Sequence, residues 1–237
     1  MTTDESGKTL CIDIGGTGLK MLVLDSQGNA INDRDRMKTP HPATTKDVLK
    51  VLEELIDKQP EFDRISIGFP GVVIDGVIKT AANLDKSWQD FDLSEKIHEL
   101  TSKPVRIAND ADVQGYASIE GKGVELVITL GTGMGSAQFI NGILVPNLEL
   151  AHHPFHKKNT YEDYVGKKAL EEVGKDEWRK RVGKVIEQLE PIWNYNLLHI
   201  GGGNVKLLDQ AKLPKNVKLH SNVGGVLGGI ALWKTKG

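Results

Sequence analysis

The sequence predicts an α/β protein built as two similar lobes facing a cleft, and three observations predict it. Strand-like and helix-like segments alternate along the chain, the pattern of sheets covered by helices. A strand, a Gly-rich turn and a second strand occur twice, at Cys11 to Thr17 and about 115 residues later at Val127 to Gly133. Hydrophobic residues make up 39% of 237 positions, enough for one large core or two small ones.

The elements follow in order. Leu10 to Ile14 is a short apolar run, then come a Gly-rich turn and a second run, Leu19 to Leu24. Gln27-Gly28-Asn29 reads as a turn. Thr44 to Lys58 reads as a helix, because Val48, Val51, Leu52, Leu55 and Ile56 share one face, and Thr44 with Asp47 resembles a capping box. Ile65 to Phe69 is a buried strand ending in Pro70-Gly71. Val105 to Ala108 is another, ending in Asn109-Asp110. Helices are expected at about Tyr161 to Val173 and Asp176 to Trp193. Leu197 to Ile200 is a strand running into Gly201-Gly202-Gly203, and Val223 to Trp233 reads as a closing helix. Each copy of the repeat runs on to a polar turn, Gly28-Asn29 in the first and Asn141-Gly142 in the second. The expected lobes are 1–113 and 114–237, with the closing helix free to pack back on the first.

Composition narrows the function. A formal net charge of -2 leaves no basic footprint for nucleic acid. Cys11 is the single cysteine, so no intrachain disulfide and no Cys-built zinc site can form. It lies in an apolar run and reads as a small buried hydrophobe. Met1 to Lys8 is polar and acidic, unlike a secretory leader. No run reaches the ~18 apolar residues of a membrane span. The expectation is a cytoplasmic protein with neither membrane nor nucleic acid as partner.

Six constellations can carry chemistry. In Asp13-Ile14-Gly15-Gly16-Thr17, the glycines let backbone N–H groups approach a phosphate closely. Thr17 adds a hydroxyl, Lys20 can meet phosphate charge, and Asp13 can hold a hydrated Mg²⁺ indirectly. The same residues would also make a plain tight hairpin. Thr129-Leu130-Gly131-Thr132-Gly133 offers hydroxyls and glycines in the duplicate position, with the same two readings. Neither turn is a Walker A loop. Asp110, at the C-terminal end of a strand, is placed to take a proton from an attacking hydroxyl, and Asn109 to orient the molecule carrying it; alternatively the pair caps the helix that follows. Glu149 and His152, with Glu162 downstream, suit neighbouring hydroxyl groups, against the reading of a solvated loop. His152, His153 and His156 show no zinc spacing. Gly202 and Gly203 open a turn where a nucleotide or phosphate can approach the backbone. Arg179, Lys180, Arg181 and Lys184 form either a solvated helix face or a track for a polyanion.

Taken together, these motifs resemble the ROK (repressor, open reading frame, kinase) sugar kinases of the actin/hexokinase-like, ribonuclease H-like superfamily. The order matches over nearly the whole chain: Asp-Ile-Gly-Gly-Thr, Gly68-Phe69-Pro70-Gly71, Asn83-Leu84, Asn109-Asp110, Leu-Gly-Thr-Gly, Glu149-x-x-His152 and the Gly triplet. Within the family the chain is most similar to the glucokinases that use polyphosphate. Thr80-Ala81-Ala82-Asn83-Leu84-Asp85-Lys86-Ser87-Trp88, Tyr161-Glu162-Asp163-Tyr164-Val165 and Glu177-Trp178-x-Lys180-Arg181-Val182 carry that likeness.

The resemblance implies that Asp110 is the general base. Asn83, Asn109, Glu149, His152 and Glu162 would hold a hexose, with Gly71 near it. Asp13, Gly15, Gly16, Thr17, Thr132 and Gly133 would surround the transferred phosphate, and Gly202 and Gly203 would lie near the far end of the donor. It further implies phosphorylation of glucose or a related hexose at its 6-hydroxyl, with Mg²⁺ and with ATP or inorganic polyphosphate as donor, in a homodimer. The alternatives are an ATP-only hexose or acylhexosamine kinase and a sugar-binding regulator without catalysis. Three departures matter. The Cys-rich zinc motif of many ROK kinases is missing, so no structural zinc is expected. Ala151 stands where the family usually has Gly, which would shift His152. Asp13 comes so early that no helix-turn-helix is expected before it.

Overall fold

The computed structural model describes residues 7–81, 84–220 and 227–234. Contacts divide the chain into two units, Met1–Ala117 with Gly224–Gly237, and Ser118–Val223.

In the first unit, β1 (Thr9–Ile14) and β2 (Leu19–Leu24) form an antiparallel hairpin, and β3 (Asp35–Met37) pairs antiparallel with β2. α1 (Thr45–Ile56) starts at Thr44, whose hydroxyl accepts the Asp47 N–H at 3.2 Å. It buries Val48, Leu52, Leu55 and Ile56, while Val51 at the edge of the stripe is half-buried. β4 (Arg64–Phe69) runs parallel to β1. β5 (Val73–Ile74), β6 (Val77–Ile78) and β7 (Phe91–Asp92) make a small antiparallel sheet. α2 (Leu93–Thr101), β8 (Val105–Asn109) and α3 (Asp110–Tyr116) follow, with β8 parallel to β4. The main sheet has the order β3-β2-β1-β4-β8.

All six residues of β1 are buried, as expected for a strand covered on both faces. Leu10, Ile12 and Ile14 alternate into a core with Val48 and Leu52 of α1 and Ile97 of α2. Cys11 points the other way, to Leu22, Leu24 and Ile230. Burial pushes its thiol up to about 12 despite the nearby Arg64 charge, so it behaves as an inert apolar group. Ile230 belongs to Leu227–Trp233, which forms 3₁₀ turns where the sequence reading placed a helix; Val223 to Val226 lie outside the described residues. This segment packs backbone-close on the second face of the sheet: a Cβ on Gly229 would stand 2.7 Å from Cys11 Sγ. The Ser66 hydroxyl donates to the Gly229 carbonyl at 2.7 Å and accepts from Trp233 Nε1 at 2.8 Å. The Arg64 and Arg106 guanidinium groups sit 5.1 and 4.7 Å from the Trp233 ring centre.

The second unit repeats the plan. β9 (Val124–Leu130), β10 (Met134–Ile140) and β11 (Ile143–Val145) form an antiparallel meander. β12 (Pro154–His156) and β13 (Asn159–Thr160) pair separately, and α4 (Tyr161–Val165) and α5 (Lys167–Trp193) follow. β14 (Leu197–Gly201) and β15 (Val217–Leu219) join in parallel, giving the order β11-β10-β9-β14-β15. Each unit is thus a three-strand meander extended by two parallel strands beside its first strand. The duplication signalled by two Gly turns extends over both sheets.

The helix expected at Tyr161 to Val173 is broken at Gly166, whose ψ of 176° ends α4 and starts α5. Trp178 pins that break by donating its indole N–H to the Val165 carbonyl at 2.7 Å. α5 kinks at Gly174 (φ 74°), inside the gap the sequence reading leaves between its two helices. Leu126 and Ile128 of β9, with Leu198 and Ile200 of β14, pack on Trp178, Val182 and Ile186 of α5. Among the described residues no helix is long and apolar enough to cross a membrane.

Candidate functional site

In the first unit, the hairpin register sets Asp13 opposite Lys20, and the Lys20 ammonium lies 2.7 Å from Asp13 Oδ2. The turn between them closes through Gly15 N–H to the Gly18 carbonyl at 3.1 Å, and the Thr39 hydroxyl donates to the Gly15 carbonyl at 2.5 Å. Gly16 and the exposed Thr17 form the tip. Lys20, read as a phosphate cation, is therefore half of a pair with a buried carboxylate.

The parallel strands β1, β4 and β8 bring the next residues to the same edge. Asp13 pairs with Gly68, Gly68 with Ala108, and Phe69 with Asn109. Asp110 opens α3 just beyond the carboxyl end of β8, where open α/β sheets place their ligands. Gly68 leaves room beneath it: a Cβ there would already touch Asp110 Cα at 3.5 Å. Asn109 does cap α3, its Oδ1 accepting the Ala111 N–H at 2.8 Å, and its Nδ2 donates to the Gly71 carbonyl at 3.1 Å. Gly71 is obligatory for a steric reason, since a Cβ would fall 2.0 Å from the Thr80 carbonyl oxygen. Thr80 also accepts the Val72 N–H through its hydroxyl at 2.9 Å. Asn83, expected to touch the hexose, lies outside the described residues. Trp88 anchors the same segment: it is fully buried, donates to the Ala43 carbonyl at 2.9 Å and packs on Phe69 and Phe91 at ring distances of 5.0 and 5.7 Å.

In the second unit the expected residues converge. The β9–β10 turn closes through Gly131 N–H to the Gly133 carbonyl at 3.0 Å, and Thr129 Oγ1 accepts the Gly135 N–H at 3.1 Å. Thr132 stands exposed at the tip. Glu162 Oε2 accepts the Met134 N–H at 3.1 Å, directly after the turn. The Glu162 N–H donates to the Ala151 carbonyl at 2.9 Å, which ties Glu162 to the Glu149–His152 loop. Ala151 is not among the residues with positive φ, so its methyl fits an ordinary backbone. Burial pushes the Glu149 carboxyl up, the charge of His152 pulls it down, and Glu162 pushes it up further. Glu149 keeps an exposed side, so solvent moderates these effects. Gly202, at φ 91°, packs so closely that a Cβ would lie 2.4 Å from the Leu130 carbonyl oxygen. Gly203 faces open space.

Other residues matter to which the sequence reading gives no role of their own. Asn204 holds the Gly131 turn from below: its N–H donates to the Leu130 carbonyl at 3.0 Å and its Nδ2 to the Gly131 carbonyl at 3.1 Å. Its place directly after the Gly triplet was the available signal. Buried Glu125 and His199 and half-buried His220 form a polar chain on the face of the sheet away from α5. His199 Nε2 lies 2.9 Å from Glu125 Oε1, and His199 Nδ1 lies 2.8 Å from His220 Nε2. Burial pushes Glu125 up, but the amide N–H groups of Glu120, Gly121 and Lys122 and the His199 ring outweigh it and hold the carboxyl below its usual 4.5. Nothing local in the sequence pairs residues 74 positions apart.

The basic segment on α5 is mostly engaged with the protein. Arg179 donates to the Leu207 carbonyl at 2.6 Å and pairs with Asp176 at 2.7 Å. Arg181 lies over the Tyr164 ring at 4.8 Å, and Lys180 pairs with Glu177 at 3.3 Å. Lys184 alone of the four is exposed with no partner among the described residues.

Among the described residues no group of three or more His, Cys, Asp or Glu could hold a metal ion. Asp13 offers one buried carboxylate with Oδ2 on Lys20. That donor set fits a magnesium ion carried mainly by water and phosphate oxygens, as this ion prefers.

The family model described as "ROK family" matches residues 9–149. The chain is 36% identical to the polyphosphate glucokinase of Mycobacterium tuberculosis (strain CDC 1551 / Oshkosh) over 209 residues, 84% of this chain and 78% of that protein. It is 33% identical to the polyphosphate glucokinase of Mycobacterium leprae (strain TN) over 234 residues, 92% of this chain and 72% of that protein. Its structure is similar to the inorganic polyphosphate/ATP-glucomannokinase from Arthrobacter sp. strain KM, with a TM-score of 0.85 and 31% identity over 96% of this chain and 98% of that one.

Proposed function

We propose, from the premise that this chain belongs to the ROK family and has its actin/hexokinase-like fold, that it transfers a phosphoryl group from polyphosphate or ATP to the 6-hydroxyl of glucose or a related hexose. One observation carries the reading. Glu162, which stands beside the Glu149–His152 loop, is hydrogen-bonded to the backbone of the Gly131–Gly133 turn. Acceptors for sugar hydroxyls placed directly against a phosphate-sized Gly turn suit phosphoryl transfer to an alcohol.

Such transfer needs little covalent help and rests on positioning and charge stabilisation. In this reading Asp110 takes the proton of the 6-hydroxyl as that oxygen bonds to phosphorus, and the P–O bond to the rest of the donor breaks. Asn83, Asn109, Glu149, His152 and Glu162 hold the hexose hydroxyls, with Gly71 bordering them. Backbone N–H groups at Gly16 and Gly133, with the hydroxyls of Thr17, Thr129 and Thr132, meet the phosphate oxygens, while the N–H groups of Gly15 and Gly131 close the two turns that present them. Lys20 offsets phosphate charge while holding Asp13, and Gly202 and Gly203 leave room for the far end of the donor. A bound Mg²⁺, held through water by Asp13, would neutralise charge developing on the donor. The same reading has the enzyme working in the cytoplasm as a homodimer, which light scattering on the purified protein decides.

The test is an assay of glucose, mannose and N-acetylmannosamine, each against long-chain polyphosphate and ATP. The expected result is glucose 6-phosphate from at least one donor. A protein that binds glucose but transfers phosphate from neither would be a regulator, and the proposal would fail.

A further inference from the structure

We propose that Glu162 couples the two substrates: one carboxylate oxygen holds the donor turn, the other takes the hexose, and each substrate thereby tightens the binding of the other. This rests on the kinase reading above and goes beyond it.

The geometry points to a residue fixed from both sides. Its Oε2 accepts the Met134 N–H at 3.1 Å. A Cβ on Gly133 would stand 1.9 Å from that same oxygen, so the carboxylate lies directly on the glycine of the turn. Its backbone is bonded to both partners of the linkage. The Glu162 N–H reaches the Ala151 carbonyl, between Glu149 and His152, at 2.9 Å. The Glu162 carbonyl accepts the Gly166 N–H at 2.7 Å, and the next amide, Lys167, donates to the Thr132 carbonyl at 3.1 Å. Oε1 has no hydrogen-bond partner among the described residues, although an ionised carboxylate accepts several bonds.

Two physical effects follow. A hexose hydroxyl donating to Oε1 fixes the plane of the carboxylate, and so fixes Oε2 on the Met134 N–H and the turn in its phosphate-binding shape. It also disperses negative charge that would otherwise sit over a turn meant for a polyanion. Both favour donor binding once the hexose is present. By linkage, the donor must raise hexose affinity by the same factor. The sugar-free enzyme then holds its donor weakly, which limits transfer to water.

Calorimetry with two unreactive partners tests this: 6-deoxyglucose, which lacks the attacking hydroxyl, and tripolyphosphate. In the wild-type protein the Kd for tripolyphosphate should fall at least about fivefold when 6-deoxyglucose saturates, and the reciprocal shift should match. In Glu162→Ala each ligand should still bind alone, the sugar more weakly, but the coupling factor should fall to about one. Glu162→Gln keeps an acceptor for the Met134 N–H and should retain part of the coupling. Should Glu162→Ala not fold, Glu162→Asp, which withdraws the oxygen by one methylene, should lose the coupling in its place. Full coupling in a folded Ala or Asp variant, or none in the wild type, would overturn the inference while leaving the kinase reading intact. A wild-type protein that binds no hexose at all would instead overturn the kinase reading, and this inference with it.

Discussion

Gly71→Ala is the sharpest test of how the backbone sets up the candidate base. The added Cβ would fall 2.0 Å from the Thr80 carbonyl oxygen and 2.8 Å from its carbon, both backbone atoms that no rotamer can move aside. To reach even 3.0 Å, Gly71 and Thr80 must separate by about 1 Å. The Gly71 carbonyl accepts Asn109 Nδ2 at 3.1 Å, so a shift of that size breaks the bond. Asn109 caps α3, and Asp110 is the first residue of that helix. The displacement therefore reaches the carboxylate proposed to take the proton. A misplacement of ~1 Å can cost about 10²-fold in rate; one lost hydrogen bond costs about 1 kcal/mol and forcing the methyl against the Thr80 backbone about 1–3 kcal/mol more, at roughly 2–4 °C in Tm per kcal/mol for a chain of this size. Steady-state kinetics with saturating donor should show kcat about 100-fold lower, with a fall in Tm of at least several degrees by calorimetry. A variant with near-normal kcat and an unchanged Tm would refute the chain of contacts from Gly71 through Asn109 to Asp110.

Asp110→Asn should lower kcat by about 10²–10⁴-fold while calorimetric glucose binding changes little; a near-normal kcat would remove Asp110 as base. Gly131→Ala adds a methyl with nothing within 4 Å, so the Tm should hold, while the KM for the donor rises about tenfold if phosphate occupies that space; an unchanged donor KM would place the phosphate elsewhere. Arg181→Ala removes the contact over Tyr164 and should cost about 0.5–1 kcal/mol in urea unfolding, whereas Lys184→Ala should leave stability alone and raise KM for long polyphosphate but not for ATP. Glu125 has a folded pKa below its unfolded value, so its contribution is present above 4.5 and is lost as pH falls through the lowered folded value. Glu125→Gln should therefore destabilise by about 1–3 kcal/mol at neutral pH and show a flatter loss of stability under acid, which urea midpoints across pH will show.

Most of the sheet frame is legible because its strands are short apolar runs ending in Gly or Asn-Asp, and α1 is legible because a cap and a stripe agree. β3 is not, since Asp35-Arg36-Met37 has no strand-like pattern and pairs only because β2 offers it an edge. α2 is absent from the sequence reading although Asp92 caps it by accepting the Glu95 N–H at 2.8 Å and Leu93, Ile97 and Leu100 recur at helical spacing; the element has only nine residues and buries just the first two of the three. The break at Gly166 is invisible to periodicity, because the apolar residues on its two sides stay in phase. Site motifs of glycine, carboxylate and hydroxyl can be read along the chain. Asn204 is marked in the sequence only by its place after the Gly triplet, whereas the Glu125–His199–His220 chain joins partners far apart in sequence, of which residue spacing carries no trace.

The packing of Leu227–Trp233 on the first sheet has a consequence for biosynthesis. During translation, every strand of the Ser118–Val223 unit leaves the ribosome before Trp233 does. The earlier-made unit must wait for it, with Cys11, Leu22 and Leu24 lacking Ile230 as a cover and the two arginines lacking their indole. The first half to be synthesised is thus the last to be completed. A nascent chain arrested before Trp233 would expose an apolar sheet face to chaperones, whereas one arrested just after Val223 would already carry every residue of the second unit.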